Sequence, residues 1–94
     1  MKNELKGENM ISFTYTIKDK LGIHARPAGM LAKVAKEYES KIYIEKNEKK
    51  ADATKLIALM GMGIKQGDLI TVTADGLDEY EASEAIKGFL KENL

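Results

Sequence analysis

The sequence predicts a two-layer α+β sandwich, with four strands in one sheet and three helices on one of its faces, in the order βαββαβα. Three observations predict it. Residues 11–17 alternate apolar and polar side chains without a miss, as a half-buried strand does. Two stretches, 28–38 and 82–90, repeat apolar residues every three or four positions, as amphipathic helices do. Amphipathic helices need a common apolar surface, and a four-stranded sheet with one covered face supplies it.

Each element has its own warrant. Ile11 to Ile17, "ISFTYTI", is rich in β-branched and aromatic residues and forms the first strand. The polar stretch Lys18 to Gly22 breaks it. Ala28, Leu31, Val34, Ala35 and Tyr38 line one helical face, and Pro27 is tolerated in a first turn. That helix is expected to begin near Ala25 or Arg26 and to end near Tyr38. Lys41 to Lys46 reads as a second strand, "NEKK" as a turn around Asn47, and Lys49 to Ala53 as a short third strand. Lys55 to Met62 is a short helix, ended by the glycines of "GMGIKQGD". Leu69 to Ala74 is the fourth strand, and Ala74-Asp75-Gly76 turns the chain. In the last helix Asp78 is the expected N-cap and Glu81 follows three residues on, a capping-box pattern. Its inner face is Ala82, Ala85, Ile86, Phe89 and Leu90.

Composition narrows the function classes. A chain of 94 residues with 44% hydrophobic residues suits one small folded domain with one core. Fifteen basic and fifteen acidic residues cancel, which argues against general nucleic-acid binding. There is no cysteine, so disulfides and thiolate metal sites are excluded. The opening "MKNELKGEN" is polar and lacks the apolar segment of a secretory signal, and the longest apolar run, Leu56 to Ile64, is too short to span a bilayer. These features read as a soluble, cytoplasmic protein without membrane insertion.

The chemistry concentrates in "LGIHARPAGML", which holds the sole histidine and the sole proline. His24 stands at or just before a helix N-terminus, where unpaired N–H groups and the positive dipole end favour an anion. The same dipole disfavours a cationic ring, and a neutral imidazole is a nucleophile. Arg26 offers a fork of donors suited to phosphate oxygens. Gly22, Ala25, Ala28 and Gly29 are small, so the imidazole is expected to stand open. Together these residues suit phosphoryl transfer to a ring nitrogen, with Ala25 and Arg26 holding the phosphoryl oxygens. On the residues alone a capping or surface histidine stays open as the bland alternative. A metal site lacks ligands, and a serine-type triad lacks a nucleophile beside the one histidine.

The motif Gly22-Ile23-His24-Ala25-Arg26-Pro27-Ala28, followed by "NEKKADATKLIALMGMGIKQGDLITVTADG", closely resembles the HPr family, the histidine-containing phosphocarriers of the bacterial phosphoenolpyruvate-dependent sugar phosphotransferase system. The resemblance covers residues 10–94. It implies an open-faced β-sandwich with an antiparallel sheet of four strands and three helices on one side. It implies phosphorylation of His24 on Nδ1 by phospho-Enzyme I, with onward transfer to the A component of a sugar-specific Enzyme II. Arg26 would hold the phosphoryl oxygens, and no cofactor is implied. The partner surface implied is Ala25, Gly29, Lys33 and Lys36 on the first helix, with Lys55, Leu56, Ile57 and Met60 on the second. Core packing is the competing expectation for Leu56, Ile57, Leu59 and Met60. Such a protein is a co-substrate between two enzymes rather than an enzyme, and a docking face that must stay free suggests a monomer.

Two departures from the family pattern stand out. Many members carry a regulatory serine at the start of the second helix, and aligning the glycines puts Lys55 there. Lysine cannot accept that mark, and it adds positive charge where a phosphoserine would add about −1.5 to −2. Thr54 next door would point elsewhere. Residues 1–9 precede the usual family start and are expected to be a disordered extension without a role. The rival reading is a regulatory paralogue, acting in nitrogen-type phosphotransfer or binding a regulator. Retention of His24 and Arg26 favours a working carrier.

Overall fold

The structure, a computed structural model, describes residues 10–94; the expected N-terminal extension, 1–9, lies outside them. Seven elements follow one another: β1 (Ile11–Thr16), α1 (Ala25–Ala35), β2 (Lys41–Lys46), β3 (Lys49–Asp52), α2 (Leu56–Gly61), β4 (Leu69–Asp75) and α3 (Glu79–Asn93). The four strands form one sheet in the order β1-β4-β2-β3, antiparallel throughout. Phe13 faces Val72, Val72 faces Ile44, and Ile44 faces Ala51, so one apolar row crosses the whole sheet. This is the open-faced α+β sandwich that the sequence predicts.

Period-2 alternation sorts the two sheet faces. Ile42, Ile44, Ile70, Val72 and Ala74 point inward and are buried. Ser12, Thr14 and Thr16 alternate with them on the open face, where hydroxyl groups meet water. From the helices Ala28, Leu31, Leu59, Ala82, Ile86 and Leu90 close the core. Each of the leucine and isoleucine side chains adds roughly 1.5–3 kcal/mol by leaving water, so packing rather than helix propensity holds these short helices. The Tyr15 hydroxyl donates to the Leu90 carbonyl at 3.0 Å, tying the edge strand β1 to α3.

Several boundaries differ from the sequence reading. Helix α1 stops at Ala35, not near Tyr38. The bonds there shorten to three-residue spacing, Glu37 N–H to the Val34 carbonyl and Tyr38 N–H to the Ala35 carbonyl, which tightens and ends the helix. Tyr38 still packs on the core from that turn. Ile17, β1's expected last residue, is buried just beyond the strand end. β3 ends at Asp52, α2 begins at Leu56 with Lys55 as its N-cap, and β4 runs on through Asp75. Asn47 takes a positive φ of 57° in the β2–β3 turn, as its residue type permits.

The capping box is a correction. Asp78 holds the N-cap position of α3, but its side chain makes no cap hydrogen bond. Its carboxylate instead accepts from the Glu39 and Ser40 N–H groups and the Ser40 hydroxyl, pinning the α1–β2 connection. The Glu79 carboxylate takes up the Gly76 N–H. Burial pushes the Asp78 carboxyl up, but the bonds from Ser40 and Glu39 overcome that and hold it below the ordinary value of 3.8. Asp78→Ala is expected to cost about 2 kcal/mol in a urea melt at pH 7. A depressed folded-state pKa stabilises above the unfolded value and is lost as pH falls through the folded one. The gap between parent and variant therefore narrows below about pH 3.8. A gap that widens on acidification contradicts this.

Candidate functional site

His24 is the N-cap of α1, with extended backbone angles of φ −116° and ψ −177°. Its carbonyl accepts the Ala28 N–H at 2.9 Å, the first bond of the helix. Pro27 has no N–H, so the Ala25 and Arg26 N–H groups are the open donors of that turn. The His24 side chain makes no cap hydrogen bond. The ring is half-buried and Arg26 is exposed beside it. Both line a hollow of about 230 Å³ together with Asp19, Pro27, Met30 and Asn93.

The loop before His24 is held by contacts that lie elsewhere in the chain. Gly22 has a φ of +69°, and its Ile23 neighbour donates to the Ile64 carbonyl at 3.1 Å. A Cβ on Gly22 would stand 2.2 Å from that same carbonyl oxygen. Gly22 and Ala28 are therefore buried packing residues rather than openings around the ring, which corrects the expectation drawn from their size. Ile64 belongs to the α2–β4 connection, and that connection is fixed in turn by Lys46. The Lys46 ammonium donates to the Asp68 carboxylate at 2.7 Å and to the Gly63 carbonyl at 3.1 Å. The Lys46 and Lys65 bonds hold the Asp68 carboxyl below the ordinary range.

Arg26, Met30 and Lys33 recur at i, i+4 and i+7 and so share one exposed stripe of α1. Ala25 is exposed and Gly29 half-buried on the adjoining stripe. Lys36 is the C-cap at the other end, about 18 Å along the axis from His24, and the structure does not bring the two together. On α2, Leu59 is the core residue, while Leu56, Ile57 and Met60 are exposed, Ile57 by 77%. Met62 is buried and Met30 is exposed. Lys55 is exposed at the α2 N-cap. Leu21, in the loop before His24, is 72% exposed.

Asp19 and Asn93 are the residues of the hollow that sequence reasoning missed. Asp19 sat within a stretch read only as a polar loop. Its signal was an Asx turn, an aspartate whose carboxylate accepts the N–H two residues on, here from Leu21 at 2.8 Å. Asn93 had no signal, since only the return of α3 brings residue 93 to the start of α1.

An open-faced sandwich that presents one imidazole and one guanidinium at a helix start has the layout of a histidine-phosphorylated carrier domain. A family model described as the PTS HPr component phosphorylation site matches residues 11–92. The phosphocarrier protein HPr of Mycoplasma capricolum is 46% identical over 78 residues, 83% of this chain and 88% of that protein. The HPr-like protein Crh of Halalkalibacterium halodurans is 38% identical over 82 residues, 87% of this chain and 98% of that one. Among solved structures, the histidine-containing phosphocarrier protein of a mycoplasma superposes with a TM-score of 0.85 at 43% identity, covering 87% of this chain and 93% of that one. The chain belongs to the HPr family of phosphocarrier proteins of the phosphotransferase system.

Proposed function

We propose that the chain is a phosphocarrier that accepts a phosphoryl group on Nδ1 of His24 from phospho-Enzyme I and passes it to the A component of a sugar-specific Enzyme II. The observation that carries this reading is the His24 ring at the N-cap of α1, without a cap bond of its own, sharing a hollow with Arg26. One N–P bond forms at His24 as the donor's N–P bond breaks, and that bond's electron pair leaves on the donor's ring nitrogen. The Ala25 and Arg26 N–H groups and the Arg26 guanidinium offset the charge of the incoming group. No small-molecule turnover is involved. The protein serves as a co-substrate between two phosphotransferases in the cytoplasm.

The docking surface of this reading is the exposed face of α1 and α2. Ala25 follows the ring in the chain, Gly29 and Lys33 lie further along α1, and Lys55, Leu56, Ile57 and Met60 continue the face, with Lys36 at the far end of α1. Apolar contact area flanked by cations suits an acidic partner surface. A face that must meet two partners in turn stays free, which supports a monomer. The test is a chase. Protein labelled from phosphoenolpyruvate through Enzyme I should lose its label on addition of an Enzyme II A component, with the label appearing there. Label that enters and does not leave favours the regulatory-paralogue reading, for which the similarity to Crh is the supporting observation.

The serine-linked control of some relatives is absent from this reading. Lys55 occupies that position, and the Thr54 hydroxyl donates to the Asp52 carboxylate at 2.7 Å. Burial raises the Asp52 carboxyl, and the Thr54 bonds with Lys55 and Lys41 more than offset it, so the carboxylate that holds Thr54 stays charged. Incubation with the serine kinase of a Gram-positive relative and ATP should leave the mass unchanged. A phosphoryl group found on Thr54 contradicts the absence of this brake.

A further inference from the structure

Asp19 is the one carboxylate among the residues lining the hollow of His24 and Arg26. It is held there from three sides. Its N–H donates to a main-chain oxygen of Leu94 at 2.8 Å, its carbonyl accepts the Gly22 N–H at 3.0 Å, and its Oδ1 accepts the Leu21 N–H at 2.8 Å. Its Oδ2 has no hydrogen-bond partner among the described residues. One end of the side chain thus builds the turn that leads into Gly22 and His24, while a full negative charge stands beside an anion site.

That charge is out of place for a pocket whose only task is to hold phosphate. It repels the oxygens of a phosphoryl group on His24. That repulsion raises the transfer potential of the phosphorylated form. We propose that Asp19 is a positioning residue that sets the lability of the phosphohistidine: its Oδ1 shapes the loop, and its charge keeps the phosphoryl group transferable rather than stored. This rests on the reading that His24 carries the phosphoryl group.

Two substitutions separate the two roles. Asp19→Asn keeps an Oδ1 acceptor for the Leu21 N–H and removes the charge; Asp19→Ala removes both. The measurements are the first-order hydrolysis of isolated phosphoprotein and the phosphoryl equilibrium with Enzyme I. In hydrolysis, water oxygen bonds to phosphorus as the N–P bond breaks, and the ring nitrogen keeps that pair and takes a proton. Asp19→Asn is expected to hydrolyse about three- to tenfold more slowly. Its equilibrium should move by a similar factor toward the phosphorylated carrier, with an unchanged melting temperature. Asp19→Ala should show the same slowing together with a lowered melting temperature. Hydrolysis and equilibrium of Asp19→Asn within a factor of two of the parent, or a faster hydrolysis, overturn the inference while the parent still takes label. A parent that takes no label overturns the carrier reading itself, so the two failures are distinct.

Discussion

His24→Ala is expected to take no label from phosphoenolpyruvate through Enzyme I, while melting within about 3 °C of the parent. Both halves follow from the N-cap geometry. The ring makes no side-chain cap bond and is only half-buried, so its removal costs about 0.5 kcal/mol or less. The helix start survives because the bond that opens it runs from the Ala28 N–H to the backbone carbonyl of residue 24, which any residue supplies. Only the proposed nucleophile is lost, and no other histidine exists to replace it. Thermal melts and label incorporation on the same preparation check both halves. A variant that keeps the label places the phosphoryl group elsewhere. One that fails to fold shows that the imidazole has a structural role the geometry does not predict.

Gly22→Ala should do the opposite, damaging the fold and the site together. A Cβ there would lie 2.2 Å from the Ile64 oxygen and 2.7 Å from the Lys65 Cα, both backbone atoms that cannot swing away. The φ of +69° adds about 1–2 kcal/mol for a residue with a side chain, and the clash adds about 1–3 kcal/mol. About 3 kcal/mol lowers the melting temperature of a domain this size by roughly 15 °C. The relief of the clash pushes the loop off Ile64, breaking the Ile23 N–H bond to that carbonyl and moving the ring two residues on. Label incorporation should then slow at least about tenfold even where the protein is folded. Circular dichroism melts and initial labelling rates at low temperature read the two effects apart. A melting temperature equal to the parent's contradicts the close approach.

What was legible in the sequence was what repeats locally. The alternation of residues 11–16 and the three- and four-residue spacing of Ala28, Leu31 and Ala35 fix which faces are buried, because each period belongs to one backbone geometry. The grouping of His24, Arg26 and Pro27 in the candidate site was legible for the same reason, since the three lie within one helical turn. What escaped was settled by contacts across the chain. Asp78 follows a local capping pattern, yet its carboxylate is taken by Ser40, 38 residues away. Gly22 looked like an opening and is a contact with Ile64, visible only once the α2–β4 connection folds against it. Asp19 looked like a solvated loop residue until the return of α3 and the start of α1 made it part of the hollow. Helix ends were blurred because α1 ends by a change of bond spacing, with no glycine or proline at that point to announce it.

The most direct test of the phosphocarrier reading is the intact mass of the parent protein after mixing with phosphoenolpyruvate, magnesium and a bacterial Enzyme I, followed by fragmentation under alkaline conditions. The account predicts a gain of one acid-labile phosphoryl group, located on His24. An unchanged mass, with a control HPr labelled by the same Enzyme I, or a phosphoryl group found on a serine or threonine instead, would contradict it.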